Sequence, residues 1–530
     1  MAAHEATAPD YIVVGGGTAG CVLAARLSED PSVSVLLLEP GERDSLWSRV
    51  PAAFRRAIYR SGLTWPLTSE PEPGLDGRRT PLLAGRALGG SSAINGLIYV
   101  RGQPRDLDEW EALGAVGWGA AAARRWYETV ERHWPLATVA DPRLLQADFA
   151  RALNEAGHVP LADPVRQPAD GYFAPRVTVD TRGRRHGGAE QLRAALPRPN
   201  LRMVRGARAV RVCIERGRAT GVEWLHAGAR HVTPAAREIV LSAGAYHSPQ
   251  LLLLSGVGPA DQLAAHGLPV AVDLPGVGAN LANHSLLALR FHASQPLPAL
   301  QALRLDRLLA SALAWALAGQ GFLALQPTSQ LLMLRSQPGL AQPDFQVTLG
   351  TLGNDADWWF PGIKPAAPHA FTAGITQLRP ASRGWVRLAS ADPLTPPRVQ
   401  CNLLMDDGDV AAIVRCIWKV RELFQCDGLA PWVAQEWLPG ADLQGEAELE
   451  RWLRQVTLPS GHPVGTCRMG SDALAVVDPA LRVQGVAGLR VIDASVMPTL
   501  PAAGTYASTL MIAERGAALL AGRGLVPGLA

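Results

Sequence analysis

The segment around His462 places one titratable side chain in a frame of small, turn-forming residues, reading SGHPVGTCRMG from Ser460 to Gly470. Pro463 disfavours helical geometry for the residue before it, so the pattern predicts that the imidazole is presented from a turn or a strand end. A neutral imidazole, with an ordinary pKa of about 6.5, suits a general base. A lone histidine before proline is more often a hydrogen-bonded structural residue, and the rest of the sequence decides between the two interpretations.

The composition is that of a globular protein rich in turns. Of its 530 residues, 48% are hydrophobic and 18% are charged, and glycine and proline number 53 and 42. This length exceeds what a single hydrophobic core accommodates, which predicts two or more domains. The net charge is only +3, and the arginines are scattered, so the sequence does not predict a nucleic-acid-binding surface.

The sequence shows no sign of secretion, metal binding or a membrane span. The first ten residues lack a basic stretch leading into an apolar one, so we expect no secretory signal and a cytoplasmic location. The six cysteines are dispersed without metal-ligand spacing, which predicts neither a disulfide nor a metal site. The most apolar window, Leu308 to Leu325, is interrupted by Ser311 and Gly319, and predicts a buried or partly exposed helix.

A strand, a glycine loop and a helix are predicted at the start of the chain. The β-branched run Tyr11 to Val14 leads into glycines and then into helical spacing from Cys21. Such a loop makes a tight turn and lets the backbone approach a pyrophosphate. The next strand ends at Glu39, where an acidic side chain would accept hydrogen bonds from ribose hydroxyls, which favours FAD or NAD over NADP. The candidate contacts in the loop are Gly15, Gly17, Thr18, Ala19 and Gly20.

A second stretch of small residues, GRALGGSSAINGLIYVRG, runs from Gly85 to Gly102. Small side chains let backbone amides lie against a flat or phosphorylated ligand, and an asparagine there can both donate and accept. The candidate cofactor contacts in this stretch are Gly85, Gly90, Ser91, Asn95, Gly96 and Ile98. A third strand then leads into a small-residue turn and a leucine-rich helix, from Ser242 to Pro259.

Together these stretches resemble the glucose-methanol-choline (GMC) oxidoreductases, a family of FAD-dependent enzymes. Gly85–Gly102 is similar to the first diagnostic stretch of that family and Gly244–Gly258 to the second. The N-terminal glycine loop, the segment around His462 and the run Val491–Ser495 match in the same order, so the resemblance covers nearly the whole chain. The closest similarity in character is to bacterial alcohol oxidases and dehydrogenases.

The resemblance implies an α/β chain, α+β overall, with a Rossmann-like FAD-binding domain and a substrate domain built on an antiparallel sheet. The expected FAD-binding domain comprises residues 1–285, with a substrate-side excursion at about 150–200, and residues 461–530, which carry the active-site histidine. The expected substrate domain comprises residues 286–460. Further FAD contacts implied by the resemblance are Val210, Ala243, Asp493, Ala494 and Ser508.

The resemblance also implies a reaction, the oxidation of an alcohol to an aldehyde or ketone. His462 would take the hydroxyl proton while flavin N5 takes the hydride. Tyr506 falls opposite His462, where relatives carry histidine or asparagine. Either Tyr506 hydrogen-bonds the substrate oxygen, or the site has been recast for another reaction. Some relatives attach FAD covalently to a histidine, and the matching position here is Ile94, so we expect non-covalent FAD.

The expected partners are a small alcohol and an electron acceptor, either oxygen or a quinone- or dye-like molecule. We expect no nucleic acid and no membrane span, and the sequence leaves the oligomeric state open. Two other functions remain open at this stage: a flavin-containing lyase or photodecarboxylase on the same fold, and a non-catalytic flavoprotein. We assign His284 a structural role, because relatives carry a Gln-Asp pair where this chain has Ala282 and Asn283.

Overall fold

The first sheet of the protein is parallel and has five strands. A computed structural model describes residues 8–59, 61–165, 170–353 and 355–523. The runs Tyr11–Val14 and Val35–Glu39 are buried along their whole length, as expected for strands covered on both faces. The order of the strands across the sheet is Leu489–Val491, Glu238–Leu241, Tyr11–Val14, Val35–Glu39 and Leu201–Arg205.

The glycine loop joins the central strand of this sheet to the first long helix. The Thr18–Leu27 helix begins right after Gly17 and packs against the helices Gly188–Ala195 and Thr505–Leu520. Its apolar face and the C-terminal helix therefore belong to one core with the sheet. A three-stranded antiparallel sheet, formed by Arg208–Glu215, Arg218–His226 and Ala229–Pro234, lies beside it.

The second large sheet has eight strands and is antiparallel except at one edge. Two of its strands, Ser285–Ala293 and Phe345–Gly350, alternate buried and half-buried side chains, whereas Gln330–Leu334 is buried along its whole length. The order is Val433–Leu438, Ser285–Ala293, Ala370–Gln377, Phe345–Gly350, Gln330–Leu334, Gly171–Phe173 and Val159–Pro160, and Leu458–Pro459 pairs with Ser285–Ala293. Both the parallel and the antiparallel sheet predicted from the sequence are present.

Helices pack against both sheets, and short two-stranded ladders form separately from them. In the described part of the chain, no helix is both long and apolar enough to cross a membrane. The α-helices are Thr18–Leu27, Phe54–Tyr59, Pro104–Ala112, Ala120–His133, Gln146–Glu155, Gly188–Ala195, Gly244–Leu254, Ala260–Ala265, Pro298–Gln301, Leu305–Ala318, Asp407–Phe424, Glu446–Val456 and Thr505–Leu520. The short ladders pair Leu67–Thr68 with Pro81–Leu82, Ala137–Thr138 with Arg176–Val177, Val257–Gly258 with Val272–Asp273, and Trp385–Arg387 with Arg398–Gln400.

Candidate active site

His462 lies in a loop just after the short strand Leu458–Pro459 of the second sheet. Its backbone N–H donates to Oδ1 of Asn283 at 3.0 Å, and its Nδ1 lies 2.9 Å from Oγ of Ser460. A Cβ built on Gly504 would lie 3.6 Å from Nε2 of His462. The imidazole is therefore held through its Nδ1 side, and Nε2 faces the residue that precedes the C-terminal helix.

His284 sets the tautomer of His462. Its ring is fully buried and meets that of His462 edge to face, with the two Nδ1 atoms 2.9 Å apart. Nε2 of His284 lies 3.2 Å from the carbonyl oxygen of Pro501, which can only accept a hydrogen bond. Nε2 of His284 therefore carries the hydrogen and its Nδ1 accepts from Nδ1–H of His462, which leaves Nε2 of His462 with a free lone pair.

Burial keeps both imidazoles neutral at neutral pH. It lowers the pKa of His462 from its ordinary value of 6.5 to about 4. Burial, and then the neighbouring His462, hold the pKa of His284 well below its usual range, against the smaller opposing effect of the carbonyls it donates to. A neutral imidazole with one bare nitrogen is the form that accepts a proton.

Tyr506 does not face His462. Its hydroxyl donates to the carbonyl oxygen of His186 at 3.4 Å, and its ring meets Trp134 edge to face at 6.0 Å. Burial raises the pKa of this phenol above its usual range. The Thr505–Leu520 helix begins with Tyr506 in its first turn and turned into the protein, so Gly504 is the residue of this segment that lies against the catalytic candidate.

The first glycine loop leaves one backbone face open. A Cβ on Gly15 would come within 2.6 Å of the Ser242 carbonyl oxygen, whereas the nearest protein atom to a Cβ on Gly17 is 3.6 Å away. Glycine at 17 is therefore not required by the packing of the protein, which fits a position reserved for a ligand. Of the other predicted contacts here, Thr18 donates to the Gly89 carbonyl at 3.5 Å, and Ala19 and Gly20 are buried in the helix.

Glu39 ends the second strand with its carboxylate buried. It accepts from the backbone N–H groups of Gly16 at 2.8 Å and Gly41 at 2.6 Å. Burial raises the pKa of Glu39 to about 7, although both backbone amides act in the opposite direction. Each carboxylate oxygen has a second lone pair, so the side chain can bind a ribose hydroxyl while it holds the loop.

The second small-residue stretch approaches the first glycine loop. A Cβ on Gly90 would lie 2.7 Å from Cα of Gly17, so these two backbones pass each other too closely for any side chain. Around them, the Gly85 N–H donates to Oγ of the exposed Ser91 at 3.2 Å, Gly96 lies beside the ring of Phe54, and Ile98 forms a bridge with Val177.

Arg185 fixes the conformation of Asn95. Its Nη1 donates to Oδ1 of Asn95 at 2.6 Å and to the Ser92 carbonyl at 3.2 Å, and its Nη2 donates to the Asn95 carbonyl at 2.9 Å. Only 2% of Arg185 is exposed, and burial lowers its pKa to about 10. The side chain oxygen of Asn95 is thus engaged, and its amide group remains for a ligand.

The third region predicted to contact the cofactor brings Ala243 and Asp493 together. Oδ2 of Asp493 accepts from the Gly244 N–H at 2.8 Å and from Oγ of Ser248 at 2.6 Å, and the Ala243 N–H donates to the same hydroxyl at 3.1 Å. Ala494 begins the short 3-10 turn that follows. Ser508 lies on the C-terminal helix, where its hydroxyl is 2.8 Å from that of Tyr127.

Val210 occupies an irregular position in its strand. The ladder between Arg208–Glu215 and Arg218–His226 skips from Ala209 to Arg211, so Val210 has no paired residue opposite it. A bulge can leave backbone groups free to bind the edge of an adenine, which fits the FAD contact that the resemblance implied for Val210. Three features of this region therefore fit FAD: the open face at Gly17 fits the pyrophosphate, the carboxylate of Glu39 fits a ribose hydroxyl, and the bulge at Val210 fits the adenine.

Two residues of the site were not identified as functional from the sequence. His284 follows Ala282 and Asn283 in a loop, and the only signal was a second histidine close to a glycine-rich turn. Arg185 lies in the arginine-rich run Arg182–Arg185, a pattern that indicates a solvent-exposed segment. Both act through contacts with residues more than eighty positions away in sequence, since His284 lies 178 positions from His462 and Arg185 lies 90 from Asn95.

Comparison with known proteins places this site in a family. A family model described as GMC oxidoreductase matches residues 9–286, and a second with the same description matches residues 380–513. The chain is 36% identical to the mitochondrial choline dehydrogenase of Homo sapiens, over 97% of this chain and 90% of that protein. It is 34% identical to the oxygen-dependent choline dehydrogenase of Vibrio vulnificus, over 96% and 94% of the two chains.

A solved structure extends the likeness to three dimensions. The pyridoxine 4-oxidase from Mesorbium loti superposes with a TM-score of 0.85 at 29% identity, and the match covers 98% of this chain and all of that one. The two family models match residues in both parts of the chain, and each of the three relatives covers nearly its whole length. This chain belongs to the GMC oxidoreductase family.

Proposed function

We propose that this enzyme oxidises an uncharged alcohol to a carbonyl compound, and that Nε2 of His462 accepts the hydroxyl proton. The observation that carries the proposal is the 2.9 Å contact between the two Nδ1 atoms of His284 and His462, which turns the bare Nε2 toward Gly504. The protein is an FAD-dependent oxidoreductase that acts on CH–OH donors, as its family does. FAD, when bound, supplies the acceptor for the hydride.

The described side chains account for the movement of the proton. As the alcohol oxygen gives its proton to Nε2 of His462, positive charge develops over the imidazole ring. Nδ1–H of that ring donates to His284, which in turn donates to the carbonyl of Pro501, so the charge is stabilised along this chain of hydrogen bonds. His284 is thus a positioning residue, which fixes the tautomer and orientation of the base.

The neutral hydrogen-bond partners of His462 support an inference about the class of alcohol. The described hydrogen-bond partners of the His462 side chain and backbone are Ser460, His284 and Asn283, none of which is charged at pH 7. Burial alone accounts for the lowered pKa of His462. Because a quaternary ammonium group is recognised by a carboxylate or an aromatic cage, we infer that a neutral primary alcohol is a better substrate than choline.

For Tyr506 we infer a packing role behind Gly504 rather than contact with the substrate oxygen. The direction of its hydroxyl, toward the carbonyl of His186, supports this inference. We also infer that FAD is bound without a covalent link, since the position that carries the linking histidine in some relatives is Ile94. Acid precipitation tests this: the flavin colour should leave the pellet and enter the supernatant.

The division into domains also remains an inference. We infer that residues 1–285 and 461–530 form the FAD-binding part and residues 286–460 the substrate part. The composition of the two sheets supports this division, since Leu489–Val491 returns to the parallel sheet. The strand Gly171–Phe173, which lies in the second sheet, supports the substrate-side excursion at about 150–200.

Anaerobic mixing with a panel of alcohols tests the reaction. Benzylic and aliphatic alcohols should bleach the flavin absorbance, and choline should do so at least about tenfold more slowly at equal concentration. His462→Ala should retain FAD and lose bleaching by about 10²–10⁴-fold, the range expected for a missing general base. His231→Ala, which removes an exposed histidine from the Ala229–Pro234 strand, is the matched control and should behave as the wild type.

Bleaching that survives in His462→Ala would overturn the assignment of the base. The named relatives are dehydrogenases and oxidases, so the comparisons favour oxidation over the lyase or photodecarboxylase alternative. The electron acceptor is assigned in the same assay, by following reoxidation of the reduced enzyme with oxygen and with a quinone- or dye-like acceptor.

A further inference from the structure

The Leu305–Ala318 helix presents its leucines to solvent. None of its 14 residues is buried, and Leu309, Leu313 and Leu317 are 62%, 62% and 79% exposed. Residues four apart lie on one face of a helix, so these three side chains form a continuous apolar ridge, which we call the leucine ridge. An ordinary surface helix buries such a face.

Two polar side chains beyond the first turn of this helix, Ser311 and Trp315, face the protein instead. Oγ of Ser311 accepts from the Leu323 N–H at 3.1 Å, and Nε1 of Trp315 donates to the Gly183 carbonyl at 2.6 Å. The helix is therefore held in place by these two side chains, and beyond its first turn its exposed residues are all leucine or alanine. This reversal indicates that the ridge has a function outside the core of the chain.

Arginines stand at both ends of the ridge. Arg307 lies in the first turn and lines a groove of about 560 Å³, together with Arg143 and Phe322. At the other end, a Cβ on Gly319 would come within 2.7 Å of Cα of Arg182, whose side chain is exposed. In the described part of the chain, neither Arg182 nor Arg307 has a carboxylate partner. Exposed leucines flanked by unpaired arginines are typical of helices that lie in a membrane interface.

The dimensions of the ridge decide whether a second copy of the chain or a bilayer surface covers it. A helix of 14 residues is about 21 Å long, which is too short to span a bilayer. The surface area of three leucines on such a helix is also far less than the roughly 800 Å² per partner that a stable dimer buries. A bilayer surface needs only a row of apolar side chains that can enter the acyl region and cations that meet the phosphates.

We propose that the Leu305–Ala318 helix docks the enzyme on an anionic phospholipid surface. The leucine ridge enters the acyl boundary, and Arg182 and Arg307 bind lipid phosphates. Ile363, 69% exposed in the turn that follows Trp359, extends the apolar surface near the start of the helix, since the Trp359 carbonyl accepts from the Leu305 N–H. This inference does not depend on which alcohol is oxidised.

Flotation of the FAD-loaded enzyme with lipid vesicles tests the proposal. The wild type should float with phosphatidylcholine vesicles that contain phosphatidylglycerol. The combined variant Leu309→Ser, Leu313→Ser, Leu317→Ser should bind at least about tenfold more weakly. Arg182→Gln with Arg307→Gln should lower the preference for phosphatidylglycerol by about tenfold.

A matched control removes other exposed apolar side chains. Leu394→Ser, Met405→Ser and Leu474→Ser change residues that are 51%, 53% and 50% exposed outside the ridge, and the combined variant should float as the wild type does. FAD absorbance and alcohol-dependent bleaching show that each variant is folded.

Two results would overturn the proposal. The first is wild-type enzyme that stays at the bottom of the gradient with anionic vesicles, or a triple-serine variant that floats equally well. The second is a sedimentation-equilibrium measurement in which the wild type is a dimer and the triple-serine variant a monomer, without vesicle binding by either. In that case a second copy of the chain covers the ridge.

Discussion

Replacing His284 tests whether the base depends on its buried neighbour. His284→Leu removes the acceptor that lies 2.9 Å from Nδ1 of His462 and leaves only Oγ of Ser460 at the same distance. His284→Asn is the matched variant, because Oδ1 of asparagine can take the place of the imidazole Nδ1 and still accept. The two variants therefore differ in the one contact that fixes the tautomer of the base.

The expected loss in the rate of flavin reduction follows from the hydrogen bond that His284→Leu removes. A buried donor that loses its acceptor costs about 1–3 kcal/mol, and the tautomer with hydrogen on Nδ1 loses that stabilisation. Because only this tautomer presents a bare Nε2 to the substrate, the rate constant of flavin reduction should fall by roughly 10–100-fold in His284→Leu. In His284→Asn it should recover to within about fivefold of the wild type.

Anaerobic stopped-flow measurement of flavin bleaching provides the rate constant, and FAD content with thermal unfolding reports on the fold. A merely structural role for His284 would lower the unfolding temperature and FAD content of both variants in parallel with the rate. Equal rates of bleaching in His284→Leu and the wild type, with FAD retained, would refute the tautomer argument. Ser460→Ala completes the set: if serine is the true acceptor, that variant shows the larger loss.

Three further predictions concern the rest of the site. Tyr506→Phe loses the bond to the His186 carbonyl, so the free energy of unfolding in urea should fall by about 1 kcal/mol while the rate of bleaching stays within about threefold. Gly17→Ala should fold with unchanged thermal stability but release FAD more readily. Gly90→Ala should also lower the unfolding temperature, because its Cβ would lie 2.7 Å from Cα of Gly17. The neutral form of His462 is active, and burial lowers its pKa to about 4. The rate of flavin reduction should therefore rise with pH through about 4 and stay constant across neutral pH. A rise in the rate centred near pH 6.5 would contradict this.

The architecture could be predicted where periodicity and small residues carried the signal. The glycine loop after Tyr11–Val14 has the form that the sequence predicted, because the strand is buried on both faces and shows as an uninterrupted apolar run. The Asp407–Phe424 helix begins after an acidic residue that marks its start locally, since the side chain of Asp406 accepts from the Asp409 N–H and caps the helix. The three-residue strand Gly171–Phe173 had no signal, because its place in the second sheet depends on pairing with Gln330–Leu334.

The site was predictable in its centre but not in its surroundings. Small residues and a proline marked His462, and these are local features. The contacts of Tyr506 depend on where the C-terminal helix begins, since one position in the first turn decides whether a side chain faces His462 or Trp134. The apolar window from Leu308 was predicted to be buried or partly exposed, and only its hydrogen bonds through Ser311 and Trp315 determine which face turns outward.

Because the described partners of His462 include no carboxylate, the charge of the substrate affects how well His462 can accept its proton. When His462 takes a proton, the new positive charge is stabilised by neutral groups: the hydroxyl of Ser460, the imidazole of His284 and, through His284, the carbonyl of Pro501. A substrate that brings a second positive charge would add repulsion beside the half-buried His462, where charges interact more strongly than in bulk water. The same pair that prepares His462 to accept a proton therefore disfavours cationic alcohols, so the His284→Leu and His284→Asn variants should change the rates with neutral alcohols without making choline the better substrate.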